Sequence, residues 1–136
     1  MSTLFGEEHV RRYRETDGAE GHDWREGSTV LLLTTTGRKS GNETTTPLIY
    51  DLDGDNPVIV ASKGGAPEHP GWYRNILHSP DVGVQIKGET FRAKARTAEG
   101  DERDRLWKQM NEMWPHYDEY AEKTDREIPV VVLERI

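Results

Sequence analysis

Val30-Leu31-Leu32-Leu33-Thr34-Thr35-Thr36-Gly37-Arg38-Lys39-Ser40-Gly41 reads as one strand and the loop that leaves it. A short apolar run gives way to threonines and then to a glycine–serine break, the pattern of a strand ending in a turn. Val58-Ile59-Val60 repeats the theme and runs into Ala61-Ser62-Lys63-Gly64-Gly65-Ala66-Pro67. Glycine lets a backbone approach a ligand closely, while Arg38, Lys39, Lys63 and unpaired N–H groups create a local positive field. The whole chain carries a formal net charge of −7. Two basic, glycine-rich loops at strand ends therefore point to anion sites, and a phosphorylated cofactor is the first ligand to expect.

Outward from these loops the pattern stays β-rich. Strands are predicted at 29–36, 45–51, 57–62, 82–87 and 90–98, with a final buried strand at 129–133. Asp51 to Asn56 and Lys87-Gly88-Glu89 are hairpin-type connections, which imply antiparallel pairing. A short helix is expected over 69–78, with Pro70 suited to its first turn and Pro80 marking the exit. The spacing of Leu106, Trp107, Met110, Met113 and Trp114 predicts a helix over 101–114 with one apolar face. Pro115 interrupts it, and a second helical piece runs to about Lys123. The polar segment before the first strand is expected to hold a short helix with a weak stripe of Phe5, Val10 and Tyr13. The chain thus divides into an N-terminal helix and connection at 1–28 and an α+β antiparallel barrel at 29–136. The alternation of strand and crossover helix required by a βαβ nucleotide fold is absent, as are its phosphate-binding glycine motifs.

Composition narrows the function classes. At 136 residues, with 33% hydrophobic and 32% charged residues, the chain fits one domain with a modest core, reinforced by four Trp and five Tyr. The acidic balance argues against nucleic-acid partners, whose phosphates demand a basic face. With no cysteine, thiolate metal sites, disulfides and cysteine nucleophiles are excluded. No apolar run approaches the ~20 residues of a membrane helix, and no secretory leader is visible, so the expectation is a cytoplasmic protein. The five histidines show no metal-ligand spacing, so no metal is expected.

Arg38 and Lys39, adjacent on one loop, can address a phosphate or carboxylate together. Ser62 stands where a hydroxyl can donate to a ligand carbonyl. Trp72 opens the short helix as Trp72-Tyr73-Arg74-Asn75, near an end that favours anions, and its indole can wall a flat ring. Trp114, Tyr117 and Tyr120, spaced by three, offer aromatic faces and two phenolic hydroxyls beside Pro115. The plain structural alternatives are a solvated turn for the basic loop, core packing for Trp72 and a sealing stripe for the aromatic residues.

Taken together, 34–47, 61–80, 114–120 and the segment Thr124-Asp125-Arg126 with Ile128-Pro129-Val130-Val131 resemble the deazaflavin (F420)-dependent nitroreductase and quinone reductase family. The resemblance extends over roughly residues 29–136 of the chain. It implies a six-stranded split β-barrel of the FMN-binding split-barrel type. It also implies coenzyme F420, a deazaflavin with a ribityl phosphate, a lactyl group and an oligoglutamate tail. By the same resemblance the cofactor contacts fall on Thr36, Gly37, Arg38, Lys39, Ser40, Thr46 and Pro47. They continue on Ala61, Ser62, Lys63, Ala66, Trp72, Tyr73 and Asn75, with the phosphate and tail near the first loop. Tyr117 and Tyr120 bound the acceptor pocket. Three departures reshape the expected site: Thr44 stands where many relatives carry Arg, Trp114-Pro115 replaces Tyr-Pro, and Ile49 replaces an aromatic residue. The implied chemistry is hydride transfer from reduced F420 to a quinone, a nitroaromatic or an activated enone. Ser62, Tyr117 and Tyr120 serve as the catalytic candidates in a monomer or homodimer. The competing expectations are an FMN-binding split barrel and a non-catalytic F420 carrier.

Overall fold

A computed structural model describes residues 4–136; residues 1–3 of the N-terminal segment lie outside the described residues. Strands β1 (Thr29–Thr36), β2 (Glu43–Asp53), β3 (Asn56–Val60), β4 (Asp81–Ile86), β5 (Glu89–Thr97) and β6 (Val130–Arg135) close into a barrel. Its order is β1-β2-β3-β6-β5-β4 and every neighbouring pair is antiparallel. The two hairpins expected from their turn residues are present, with Asp53 opposite Asn56 and Ile86 opposite Glu89.

The strands read as continuous apolar runs because the barrel is covered on the outside as well as filled within. Leu31, Leu33, Ile59, Ala61, Val131 and Leu133 belong to the interior cluster. Their neighbours Val58, Val60, Val130 and Val132 pack outward against Leu106 and Met110 of α3 (Gly100–Met113) and Tyr117 of α4 (His116–Glu122). Val30 and Leu32 pack outward against Tyr13 of α1 (Gly6–Thr16). Alternation in direction is preserved, although alternation in polarity is not.

Tyr13 ties α1 to the barrel. It is fully buried, its hydroxyl donates to the Val30 carbonyl at 2.9 Å and accepts from the Lys87 backbone N at 2.8 Å. Burial pushes its phenol up to about 12. Phe5, expected on the same stripe, is 74% exposed. The reason is local: the helix begins at Gly6, and Phe5 is its extended N-cap residue, off the helical face. His9 takes the buried position instead.

Helix α2 (Gly71–His78) packs on β1 and places Trp72, Tyr73, Asn75 and Ile76 inward. Near the pairing of Thr29 with Tyr50, His22 is buried, with its Nε2 2.8 Å from the Tyr50 hydroxyl and its Nδ1 2.8 Å from Asp23. Among the described residues no helix is long and apolar enough to cross a membrane.

Candidate active site

Between α1, the outward face of β2, the loop after β3 and α4 lies a cavity of about 560 Å³, within the usual range for a small-molecule site. Its walls include Thr46 and Pro47 of β2, Ser62, Lys63 and Gly64 of the loop, Trp72 of α2, and Trp114, Tyr117 and Tyr120. Thr46, Pro47, Ser62, Lys63, Trp72, Trp114, Tyr117 and Tyr120, all singled out in the sequence, thus converge on one space.

Ser62 and Tyr117 carry uncommitted hydroxyls on this wall. Ser62 is 9% exposed, caps no helix with its side chain, and its Oγ bonds no described residue. Tyr117 is 4% exposed, and its hydroxyl likewise has no protein partner among the described residues. Burial pushes that phenol up, with the Tyr120 hydroxyl adding to the effect, so Tyr117 stays a neutral donor. Tyr120 accepts from Trp114 Nε1 at 3.4 Å. Both residues line the cavity, so these hydroxyls are free to bond a molecule held there.

The loop carrying Ser62 is held by a residue to which the sequence assigns no role. Arg126 donates from Nη2 to the Ser62 carbonyl at 2.8 Å, from Nε to the Ala66 carbonyl at 2.9 Å and from Nη1 to the Ala61 carbonyl at 3.2 Å. Nη1 also lies 3.1 Å from His69 Nδ1. Burial, with the charges of Arg126 and Arg74, holds His69 below the ordinary histidine range, so its ring is a neutral acceptor. Gly65 lets this loop lie directly on α4: its φ is +86°, and a Cβ there would stand 2.7 Å from the Tyr120 carbonyl.

The basic loop after β1 does not line the cavity. It closes on itself, with Gly37 N donating to the Asn42 carbonyl at 2.7 Å and the Asn42 N donating to Ser40 Oγ at 3.1 Å. Asn75 clamps it to α2: its Oδ1 accepts from Arg38 N at 3.2 Å and Arg38 Nη1 at 2.9 Å, and its Nδ2 donates to Thr35 Oγ1 at 3.1 Å. The amide of Asn75 is therefore engaged within the protein, and one edge of Arg38 with it. Lys39 is exposed and forms no ion pair among the described residues, which leaves it as the free cation of the loop. Tyr73 is likewise engaged, bonding Thr97 Oγ1 at 2.8 Å from the barrel interior, and Ala61 is fully buried. Thr36, opposite Glu43, lies three residues along the ladder from the cavity wall at Thr46, about 10 Å of strand.

The opposite wall was not legible in the sequence. Phe5, His9 and Trp24 also line the cavity, with the Trp24 ring stacked 5.8 Å from Trp114. An aromatic cavity wall with free hydroxyls and a basic loop beyond it suits a planar heterocycle carrying an anionic tail.

A family model described as F420H(2)-dependent quinone reductase matches residues 5–135. The chain belongs to this family. Its relatives include an F420H(2)-dependent quinone reductase of Mycobacterium tuberculosis, 43% identical over 130 residues, which covers 93% of this chain and 87% of the relative. A solved F420-H2 dependent reductase is 44% identical, with a TM-score of 0.72, covering 77% of this chain and 93% of its own. A chain solved as a domain-swapped dimer is 41% identical, with a TM-score of 0.75, covering 92% of this chain and 96% of its own. The family match thus extends into the segment before β1.

Proposed function

We propose that this protein is an F420H2-dependent reductase acting on quinones. The observation that carries the reading is the joint one of family membership and of a cavity lined by Ser62 and Tyr117, whose hydroxyls are free. The residues fit the cofactor. Lys39 and the loop around it answer the anionic phosphate and tail, and Trp72, Lys63 and Gly64 border the place for the flat ring. A Cβ at Gly64 would meet nothing within 4 Å, so the ring edge is open there.

Reduced F420 supplies a hydride when bound; the protein's share is positioning and charge stabilisation. Ser62 and Tyr117 donate to the acceptor's oxygen as negative charge builds on it, the arrangement that usually contributes most to such a step. Tyr120 accepts from Trp114, whose ring stacks on Trp24, so this side of the cavity is an aromatic wall. Nitroaromatics and activated enones present the same electron-poor, oxygen-bearing target and are proposed as further acceptors. A homodimer is the assembly we expect, from the relative solved as one.

The test is anaerobic turnover of reduced F420 with a panel of quinones, nitroaromatics and enones. Quinone-dependent oxidation of the cofactor supports the reading. Tight F420 binding with no turnover of any acceptor would favour the carrier instead.

A further inference from the structure

His9 is a buried side chain with one nitrogen committed and one open. It sits on α1 at 2% exposure, and its Nε2 lies 2.8 Å from the Gly21 carbonyl. A carbonyl can only accept, so Nε2 carries the ring proton in the neutral form, and Nδ1 is the bare nitrogen. Nδ1 bonds no described residue. Nor is it sealed away: among the described residues the buried side-chain nitrogen or oxygen lacking a partner is Arg103 Nε alone. The ring lines the cavity, so the open nitrogen is one the cavity reaches.

The surroundings hold the ring in this orientation. At Gly21 the φ is +106°, and a Cβ would stand 2.9 Å from His9 Cδ2 and 3.0 Å from Nε2. The backbone can therefore seat its carbonyl on Nε2 only because that residue is glycine. Trp24 packs against the ring at 6.0 Å and Tyr13 at 6.5 Å. Trp24 in turn stacks on Trp114, so one aromatic wall runs from His9 to the helix that carries Tyr117. The titratable and charged groups beside the ring are Tyr13 on its own helix and Arg25 over the Trp24 ring, and those elsewhere on the cavity wall are Lys63 on the loop after β3 and Tyr117 and Tyr120 on α4. His9 is the one imidazole among the described residues of the cavity wall.

We propose that His9 is a catalytic proton donor, delivering a proton from Nδ1 to a quinone oxygen at the α1 end of the cavity. This rests on the quinone reductase reading above. Water entering the open cavity protonates Nδ1, while Nε2–H keeps its bond to Gly21. Two electrons reach the quinone as a hydride, with the cofactor oxidised and one proton released from it to water. The negative charge left on the quinone oxygen takes the Nδ1 proton: that N–H bond breaks, an O–H bond forms, and hydroquinone leaves. His9 is then neutral and is reprotonated from water. Histidine suits the task because its ring can give up the proton on one nitrogen while the other keeps its hydrogen bond.

The test is His9→Gln, whose Nε2 can reach the Gly21 carbonyl while nothing replaces Nδ1. Quinone turnover with reduced F420 is followed from about pH 5 to 8, beside F420 affinity and melting temperature. The wild type should lose kcat as pH rises, because the donor must be protonated. The variant should fall about a hundredfold in kcat, lose that limb of the profile, and bind F420 as before. A variant that retains both the rate and the limb overturns the proposal. A purely structural histidine would lower the melting temperature and leave the profile's shape intact, which overturns it equally. Should the variant not fold, 15N-histidine NMR of the wild type decides: added hydroquinone must shift the Nδ1 signal of His9, and an unmoved signal overturns the assignment. If the wild type itself reduces no quinone, the functional reading fails and this inference with it. Failure of His9 alone leaves wild-type turnover intact.

Discussion

The guanidinium of Arg126 donates to the carbonyl of Ser62 at 2.8 Å and so fixes the backbone of the residue whose hydroxyl faces the cavity. Sixty-four residues separate the two in sequence. The same side chain also reaches the carbonyls of Ala61 and Ala66, so one fork of donors sets the shape of the whole loop. The reactive face of the site is thus held from its far side, by a residue outside the cavity wall.

Arg126→Ala should release this loop. Hydrogen bonds from a charged donor contribute roughly 1.5–3 kcal/mol each before relaxation, so a net loss of about 2–3 kcal/mol in stability is expected. The value of kcat/KM should fall more than tenfold. Arg126→Lys should recover little, because a single ammonium cannot address separated carbonyls as a planar fork does. Denaturant unfolding and steady-state kinetics check both. Wild-type kinetics in the lysine variant would contradict the geometric argument.

Tyr117→Phe separates function from stability. The hydroxyl bonds no described residue, so its removal should change stability by less than about 1 kcal/mol. Quinone turnover should drop by about tenfold to a hundredfold if the hydroxyl supports the developing charge. A variant with full activity would place the acceptor oxygen elsewhere, nearer Ser62.

The two cations of the basic loop should behave differently. Lys39→Ala leaves the fold intact and weakens F420 binding, more so at low salt, with hydride transfer at saturation preserved. Asn75→Ala acts through the fold: it frees Arg38 and the Thr35 hydroxyl and should cost about 1–3 kcal/mol. Fluorescence titration and thermal melts distinguish the two patterns. A stability loss in Lys39→Ala would contradict the assignment.

His116 gives the molecule a pH dependence of known sign. Its Nδ1 lies 2.7 Å from Glu119 and its Nε2 2.8 Å from Glu26, linking α4 to the segment before β1. Hydrogen bonds to Glu119 and then Glu26 raise its pKa above the ordinary histidine value. A group raised on folding stabilises fully below its unfolded value, near 6.5, and the contribution disappears as pH rises through the folded one. The His116 contribution to melting temperature should therefore decline as pH rises above about 6.5, and the difference between wild type and His116→Gln should shrink over the same range. An unchanged slope in the variant would assign the effect to another group.

Much of the fold is legible in the chain because its signals are local. Each strand is an apolar run bounded by turn residues, and the hairpins at 53–56 and 86–89 follow from their glycines and acids. The half of the site built by β2, the loop after β3 and α4 is legible for the same reason, since it lies on short motifs. The other half is not. Phe5, His9 and Trp24 belong to the segment before β1, whose helix packs on β2, and a mostly polar helix with two buried side chains announces no such docking. Arg126 is hidden differently: its partners are chiefly backbone carbonyls, which leave no mark in a sequence. Asn75 and Tyr73 sit in a recognisable motif, yet their polar atoms serve the protein's own loop and barrel.

The most direct test of the whole account is fluorescence titration of the purified protein with F420, run in parallel with FMN, on the wild type and Lys39→Ala. The account predicts saturable binding of F420, none of FMN, and a weaker F420 isotherm in the variant. Binding of FMN alone, or of neither, would contradict it.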